Sequence, residues 1–377
     1  MTATDRGASP DALREELAAF KDPELARGLA QSIRALTPTK PNGDPITLME
    51  VCGTHTVSIA RNGIRSLMPS NVRLASGPGC PVCVTSNHDI DKVIALAKVP
   101  GVIIATFGDM TRVPGSTSSL LAEQAAGADV RIVYSPLDAL AIARENPDRE
   151  VVFVGVGFET TTPLVARAIQ RAQNEGLSNF SVFAAHKNMP GALEVIVNDP
   201  ELSVDALILP GHVSTIIGVE PYRFLAERYG IPGVITGFEP NDILQGIAMI
   251  MRQLHEGRAE IEIAYARGVM AKGNPVALAA IDEVFRTCDA TWRGIGVIPG
   301  SGYEIREEYA SLDAMRRFAP AVEETIEHAG CQCGNVLRGV LRPDECPLFR
   351  KVCTPENPVG PCMVSSEGSC AAYFRYL

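Results

Sequence analysis

The sequence predicts an α/β protein: two related parallel-sheet α/β domains followed by a small cysteine-rich C-terminal domain. Three observations carry that expectation. Short apolar runs alternate with segments of helical periodicity, the pattern of parallel strands covered on both faces. Two passages echo each other, since VVFVGVGFETTTPLVARAI and GVITGFEPNDILQGIAMI each run strand, Gly-Phe-Glu, helix. Six of the ten cysteines crowd into the final stretch, at Cys331, Cys333, Cys346, Cys353, Cys362 and Cys370.

In order along the chain, DALREELAAF (11–20) and ELARGLAQSIRAL (24–36) space apolar residues by three and four and read as helices. The turn-rich TPTKPNGDP (37–45) closes this N-terminal segment, 1–45. A first α/β domain is expected over 46–165. Its strands fall at 72–76, 101–108, 130–135 and 151–157, and its helices at 57–67, 90–98, 136–145 and 163–173. A second is expected over 166–258, with strands at 180–185, 206–211 and 233–238 and helices at 221–230 and 242–257. The echo puts Glu159 and Glu239 at the carboxyl ends of strands, where open parallel sheets bind ligands; three shared residues also arise by chance. The last domain, 259–377, begins with a helix, turn, helix pattern over 259–285 and ends in a proline-rich tail. A tail so poor in its own core is typically tied down by metal.

Composition narrows the function. A net charge of −10 argues against a general nucleic-acid binder. No basic segment followed by an apolar core opens the chain, and no apolar run approaches the ~20 residues of a membrane span. A cytoplasmic, reducing location is therefore expected, where close cysteines mean metal binding or catalysis more often than structural disulfides.

The tail spacing C-x14-C-x6-C-x16-C, through Cys331, Cys346, Cys353 and Cys370, supplies four thiolates. A [4Fe–4S] cluster fits best, because the paired C-x2-C knuckles of ordinary zinc sites are missing; zinc and disulfides are the alternatives. Cys333 and Cys362 are left as an accessory, redox-active pair. Cys80 and Cys83 in GPGCPVC form a C-x2-C ahead of the helix near Asn87, a place where thiols exchange disulfides or bind soft metal. In EVCGTHT, Cys52 and His55 stand three apart on a turn before the 57–67 helix, a nucleophile pair or soft-metal site that in one sequence is also often incidental. Asp109, Glu159 with Thr160 and Thr161, His186 with Lys187, and His212 with Ser214 each follow a strand and could share one crevice; singly, each reads as a cap or turn. Cys288 reads as a core residue. Neither a GxxxxGK[ST] nor a GxGxxG loop is present, so nucleotide binding has no strong local support.

With these residues in hand, the chain resembles the [NiFe]-hydrogenase maturation factor HypD family over nearly its whole length. The resemblance rests on MEVCGTHT (49–56), GPGCPVCVT (77–85), GFETTTP (157–163), PGHVSTIIG (210–218), GFEPNDIL (237–244) and the tail from 343 to 373. It implies two α/β domains plus a small C-terminal iron–sulfur domain. It also implies a scaffold on which an Fe(CN)2(CO) group is assembled with a HypC-type chaperone and a HypE-type cyanide donor, for a hydrogenase large-subunit precursor. Under it, Cys52 would bind the iron, with Thr54, His55 and Thr56 beside it. Cys80 and Cys83 would be a redox-active dithiol, and the tail cysteines would hold the cluster. The other readings are a cluster-dependent thiol/disulfide reductase acting on a partner protein and a zinc-stabilised binding protein.

Overall fold

The computed structural model describes residues 18–322 and 324–377. Most of the helix expected over 11–20 lies outside the described residues. Eleven strands follow along the described chain: β1 (Ile46–Glu50), β2 (Val72–Ser76), β3 (Val102–Thr106), β4 (Asp129–Ile132), β5 (Glu150–Gly155), β6 (Phe180–Ala184), β7 (Ala206–Pro210), β8 (Gly233–Thr236), β9 (Ile261–Ile263), β10 (Phe285–Trp292) and β11 (Gly296–Ile305). They form a five-stranded sheet ordered β2-β1-β7-β8-β9, a four-stranded sheet ordered β4-β3-β5-β6, and the hairpin β10-β11. Every pairing in the two larger sheets is parallel, and the hairpin is antiparallel.

The apolar strands behave as double-sided burial requires. In β5, Val151 and Phe153 enter one core while Val152 and Val154 enter another. In β7, Leu207 and Leu209 face one core and Ala206 and Ile208 the opposite one. Successive side chains point to opposite faces, so each strand fills two cores at once. The core holding Leu207 and Leu209 is the one that matters for chemistry. It also contains Cys80, Cys83, Cys333, Cys362, Phe158, Tyr222 and Trp292.

The helices start where the chain supplies caps. Asp22 caps α1 (Pro23–Leu36), Ser86 caps the Asn87–Ala97 helix, and Ser135 with Asp138 forms a capping box on Pro136–Glu145. ITLME, directly after the 37–45 linker and absent from the expected strands, is an internal strand, β1. Two expectations need correction. The 259–285 stretch opens with β9 instead of a helix, although its second helix is present at Pro275–Val284. Beyond it the strand pattern does not fade: 285–305 is the hairpin, whose largely exposed alternation hides it from a search for apolar runs. The five-stranded sheet is built from two separate stretches, 46–76 and 206–263, with the four-stranded sheet built from the stretch between them.

Candidate metal and thiol site

Four turns of the five-stranded sheet gather at its carboxyl edge. β1 leads to Cys52, β2 to GPGC, β7 to His212 and β8 to Gly237-Phe238-Glu239. Cys52 is the N-cap of α2 (Gly53–Arg61), so Thr54, His55 and Thr56 lie in the first helical turn and not on a turn before a helix at 57. Gly79 is pressed against Cys52. A Cβ there would lie 2.2 Å from the Cys52 amide nitrogen and 2.4 Å from its Cα, and the Gly53 amide donates to Gly79 O at 3.0 Å. The absence of a side chain at residue 79 thus lets the CPVC segment touch the CGTHT helix.

Each polar group around Cys52 has a partner on a different segment. Thr56 Oγ1 donates to Glu50 Oε1 at 2.6 Å, and the Cys52 amide donates to Glu50 Oε2 at 3.3 Å. Thr54 Oγ1 donates to Glu367 Oε1 at 2.8 Å. Glu367 itself covers the helix start, since a Cβ on Gly53 would fall 2.6 Å from Glu367 Cβ. His55 Nε2 lies 2.9 Å from Gly237 O and 2.8 Å from Thr236 Oγ1. A carbonyl only accepts, so Nε2 carries the proton and Nδ1 is a buried acceptor without a protein partner. Phe238 is stacked between His55, at 4.8 Å, and His212, at 3.8 Å.

Burial sets the protonation states. The Cys52 thiol is pushed up to about 12, first by burial and then by the Glu367 carboxylate, against the helping amides of His55 and Thr54. Glu50 is pushed up to about 7 by burial, opposed by hydrogen bonds from Ser76 and Thr56 and by the Arg65 charge. His55 is pulled down to about 4 by burial and is neutral near pH 7. A soft metal arriving at Cys52 must therefore displace a thiol proton.

Cys80 and Cys83 are joined as a disulfide across α3 (Pro81–Val84), with Cα atoms 5.2 Å apart. This short helix separates the motif from the longer Asn87–Ala97 helix, which has its own cap at Ser86. Both sulfur residues are buried, at 3% and 0% exposure, and Cys83 Sγ lies 3.9 Å from Pro361 O in the tail.

The tail carries α4 (Cys333–Leu337), α5 (Pro361–Val364) and α6 (Ser369–Tyr376). All six of its cysteines line one cavity, with Gly360, Leu348 and Phe349 among the other wall residues. Cys333 and Cys362 are in contact, sulfur to sulfur at 2.6 Å. A Cβ on Gly360 would stand 2.7 Å from Cys331 Sγ. Cys333 is held below the ordinary thiol range by hydrogen bonds from Cys331 and then Cys362, with the Arg293 charge adding to them. Among the described residues no three His, Cys, Asp or Glu side chains converge tightly enough to hold a single metal ion. The six thiols line the cavity wall, with Cys333 in contact with both Cys331 and Cys362.

The remaining expected residues divide between the sheets. Glu159, His186 and Lys187 follow β5 and β6 of the four-stranded sheet, and Asp109 follows β3, so these turns do not share one edge with His212 and Glu239. Glu159 is buried, accepts from the Met189 amide at 3.0 Å, and is pushed up to about 7 by burial. Glu239 is half-exposed and pairs with Lys21 at 3.3 Å. Cys288 lies on β10, half-buried and outside the core. Sequence reasoning overlooked Glu50 and Glu367. Glu50 carried a signal, being an acidic residue closing an apolar strand next to Cys52; Glu367 carried none.

The family described as "HypD: Hydrogenase formation hypA family" matches residues 24–377. The chain is 50% identical over 367 residues to the hydrogenase maturation factor HypD of Rhodobacter capsulatus, covering 95% of this chain and 97% of that protein. It is 49% identical over 364 residues to the Azotobacter vinelandii protein of the same name, covering 95% of each. The Escherichia coli K12 protein of that name is 45% identical over 333 residues, covering 88% of this chain and 89% of that protein.

Proposed function

The chain belongs to the HypD family, and on that premise we propose that this hydrogenase maturation factor is a scaffold on which iron acquires cyanide and CO ligands. Cys52 supplies the thiolate that holds the iron cargo, together with a HypC-type chaperone; a HypE-type partner delivers cyanide, and the finished Fe(CN)2(CO) group passes on to a hydrogenase large-subunit precursor. The observation that carries this reading is the packing of three thiol groups in series. Gly79 sets the CPVC disulfide against Cys52, Pro361 O sets it against the tail, and Cys333 and Cys362 enter the same core as Cys80 and Cys83.

The protein's own residues perform definable tasks. Glu367 and Thr54 close the start of α2 and keep water from Cys52. Glu50, pushed up to about 7, is positioned two residues from the thiol to take up the proton that iron binding releases. His55 is locked by Gly237 and Thr236, and its partnerless Nδ1 is free to accept a hydrogen bond. Opening the Cys80–Cys83 disulfide breaks one S–S bond and takes two electrons and two protons, giving two thiols. An external one-electron donor must supply those electrons.

In the tail, Cys331, Cys346, Cys353 and Cys370 would hold a [4Fe–4S] cluster, with Cys333 and Cys362 as the accessory pair. When bound, the cluster supplies one-electron redox chemistry. The fit rests on six thiols around one cavity and on Gly360 leaving that cavity open beside Cys331. A single zinc ion needs four ligands converging on one point, whereas a cube of iron and sulfur takes its thiolates from around its periphery.

A second reading, a cluster-dependent thiol/disulfide reductase acting on a partner protein, draws support from the Cys80–Cys83 disulfide. The burial of both sulfurs weighs against it, because a protein disulfide cannot reach them. Infrared spectroscopy of the protein, purified anaerobically with its HypC-type partner, decides between the two. Cyanide and CO stretches should be present in the wild type and lost in Cys52→Ala. Absent bands in a brown wild-type complex would favour the reductase. Cys80→Ala and Cys83→Ala should keep the brown colour and lose assembly.

A further inference from the structure

Between β2 with the segment before it and the tail lies a basic cleft of about 570 Å³ that the reading above leaves unused. Arg65, Arg73, Arg342 and Arg350 line it, against one acidic side chain, Asp344. On a chain of net charge −10 this is a local reversal of sign. Asp344 pairs with Arg342 at 2.6 Å. The other three guanidiniums are fixed without a carboxylate partner among the described residues. Arg73 donates to Gly339 O at 2.6 Å, Arg350 donates to Phe374 O at 3.1 Å, and Arg65 donates to Leu74 O while lying 5.2 Å from the Tyr373 ring centre. The charges of Arg73 and Arg350 are oriented and left available, while Arg65 also acts on the buried Glu50. Arg350 also holds a φ of 58°, a left-handed conformation that a non-glycine residue keeps where surrounding structure demands it.

One wall residue ties this cleft to the thiols. Phe349 lines both the arginine cleft and the six-cysteine cavity. The geometry points to the cleft as the docking face of a small acidic one-electron carrier protein that reduces the redox centre behind Phe349. This rests on the resident cluster proposed above. Each encounter oxidises the carrier by one electron and reduces the centre by one, with no bond made and no proton moved. Two encounters would supply the two electrons that, with two protons taken up from solvent, open the Cys80–Cys83 disulfide to two thiols. Arginines around apolar side chains such as Val72 and Leu74 give the charged rim and apolar middle of a protein interface, and opposite charge speeds and orients such short-lived encounters.

The test uses the anaerobically prepared full chain and an oxidised plant-type [2Fe–2S] ferredoxin as the acidic probe. Calorimetry should show binding that weakens steeply with salt. It should weaken about 10-fold or more in R73E/R350E, the lower end of what electrostatic steering supplies. The double variant R167E/R171E makes the same change in net charge on the Thr162–Glu175 helix, away from the cleft, and should bind like the wild type. The milder R73Q/R350Q, which should show a smaller loss, guards against a folding defect in the reversed pair. In stopped flow, bleaching by reduced ferredoxin should slow to a similar degree in R73E/R350E while bleaching by dithionite is unchanged. Equal ferredoxin binding by R73E/R350E and wild type, or no binding by wild type, overturns the proposal. Ferredoxin displaced by millimolar ATP through the same arginines reassigns the cleft to phosphate and overturns it too. A chain without cluster absorbance sinks the reading beneath, and the calorimetry still judges the docking face by itself.

Discussion

Gly157-Phe158-Glu159 and Gly237-Phe238-Glu239 share a sequence and a place, each joining a parallel strand to a helix. In both, a Cβ on the glycine would strike a side chain at the start of the following helix, Thr161 Oγ1 at 1.7 Å and Asp242 Oδ2 at 2.3 Å. Their surroundings then part. Phe238 packs between two histidines, Gly237 O anchors His55, and Glu239 faces solvent as a cap. Phe158 packs on Trp292 with ring centres 5.9 Å apart, and Glu159 is turned inward with Oε2 lacking a protein partner. The same local sequence gives a backbone frame twice; the segment packed over the frame decides whether it anchors the CGTHT helix through His55 or holds a buried acid.

The largest effect expected from this contrast is at the glycines that admit the covering segments. Gly79→Ala would drive a Cβ into the backbone of Cys52 and should cost about 3 kcal/mol or more, near the upper end for overpacking. Gly157→Ala meets side chains alone, the Thr161 hydroxyl, which can rotate away, with Thr161 Cβ at 2.9 Å and His186 Cδ2 at 3.4 Å, and should cost less. Denaturant unfolding of the two variants checks the order, and equal costs would break the contrast.

Next come the two glutamates. The Glu159 carboxyl is raised above its unfolded value, so its stabilising protonated form is fully present at low pH and its contribution is lost as pH rises through about 7. Glu159→Gln should therefore gain stability at pH 8, by about 3 kcal/mol at most, and gain little at pH 4. Glu239→Gln should stay within about 0.5 kcal/mol of the wild type at both. Urea titrations at pH 4 and pH 8 separate these outcomes.

The buried histidines sharpen the comparison further. His55 has two partners, and removing it strands Gly237 O, so His55→Leu should destabilise by about 2 kcal/mol. His186 is pulled down to about 3 by burial, and neither ring nitrogen has a protein partner. His186→Leu should be neutral or stabilising near pH 7. It should also flatten the loss of stability on acidification, because a depressed histidine pKa costs stability as pH falls below about 6.5. Thermal melts at pH 5 and pH 7 test both, and a His186→Leu protein that melts well below wild type at pH 7 would show that His186 has a role its contacts do not display.

Much of this protein was legible before folding. Apolar strand runs, helical periodicity and caps follow from local chemistry, so the Pro136–Glu145 helix and strands such as β2 fall where their residues place them. Cysteine spacing likewise singled out the Cys80–Cys83 pair and the tail, which the structure shows as a disulfide and as six thiols lining one cavity. Three things needed the tertiary structure. The exposed β10–β11 hairpin lacks an apolar signal because its ladder is satisfied by its own partner strand. Strand order is set by which distant segments bury a common face, and so the five-stranded sheet is completed only by residues beyond 205. The partners of Cys52 arrive from Glu50, Gly79, Gly237 by way of His55, and Glu367, far apart along the chain. A sequence fixes which side chains are available and how each segment curls, because those are local energies. Which of them meet is decided by burial summed over the whole chain, and burial has no local signature at Glu367.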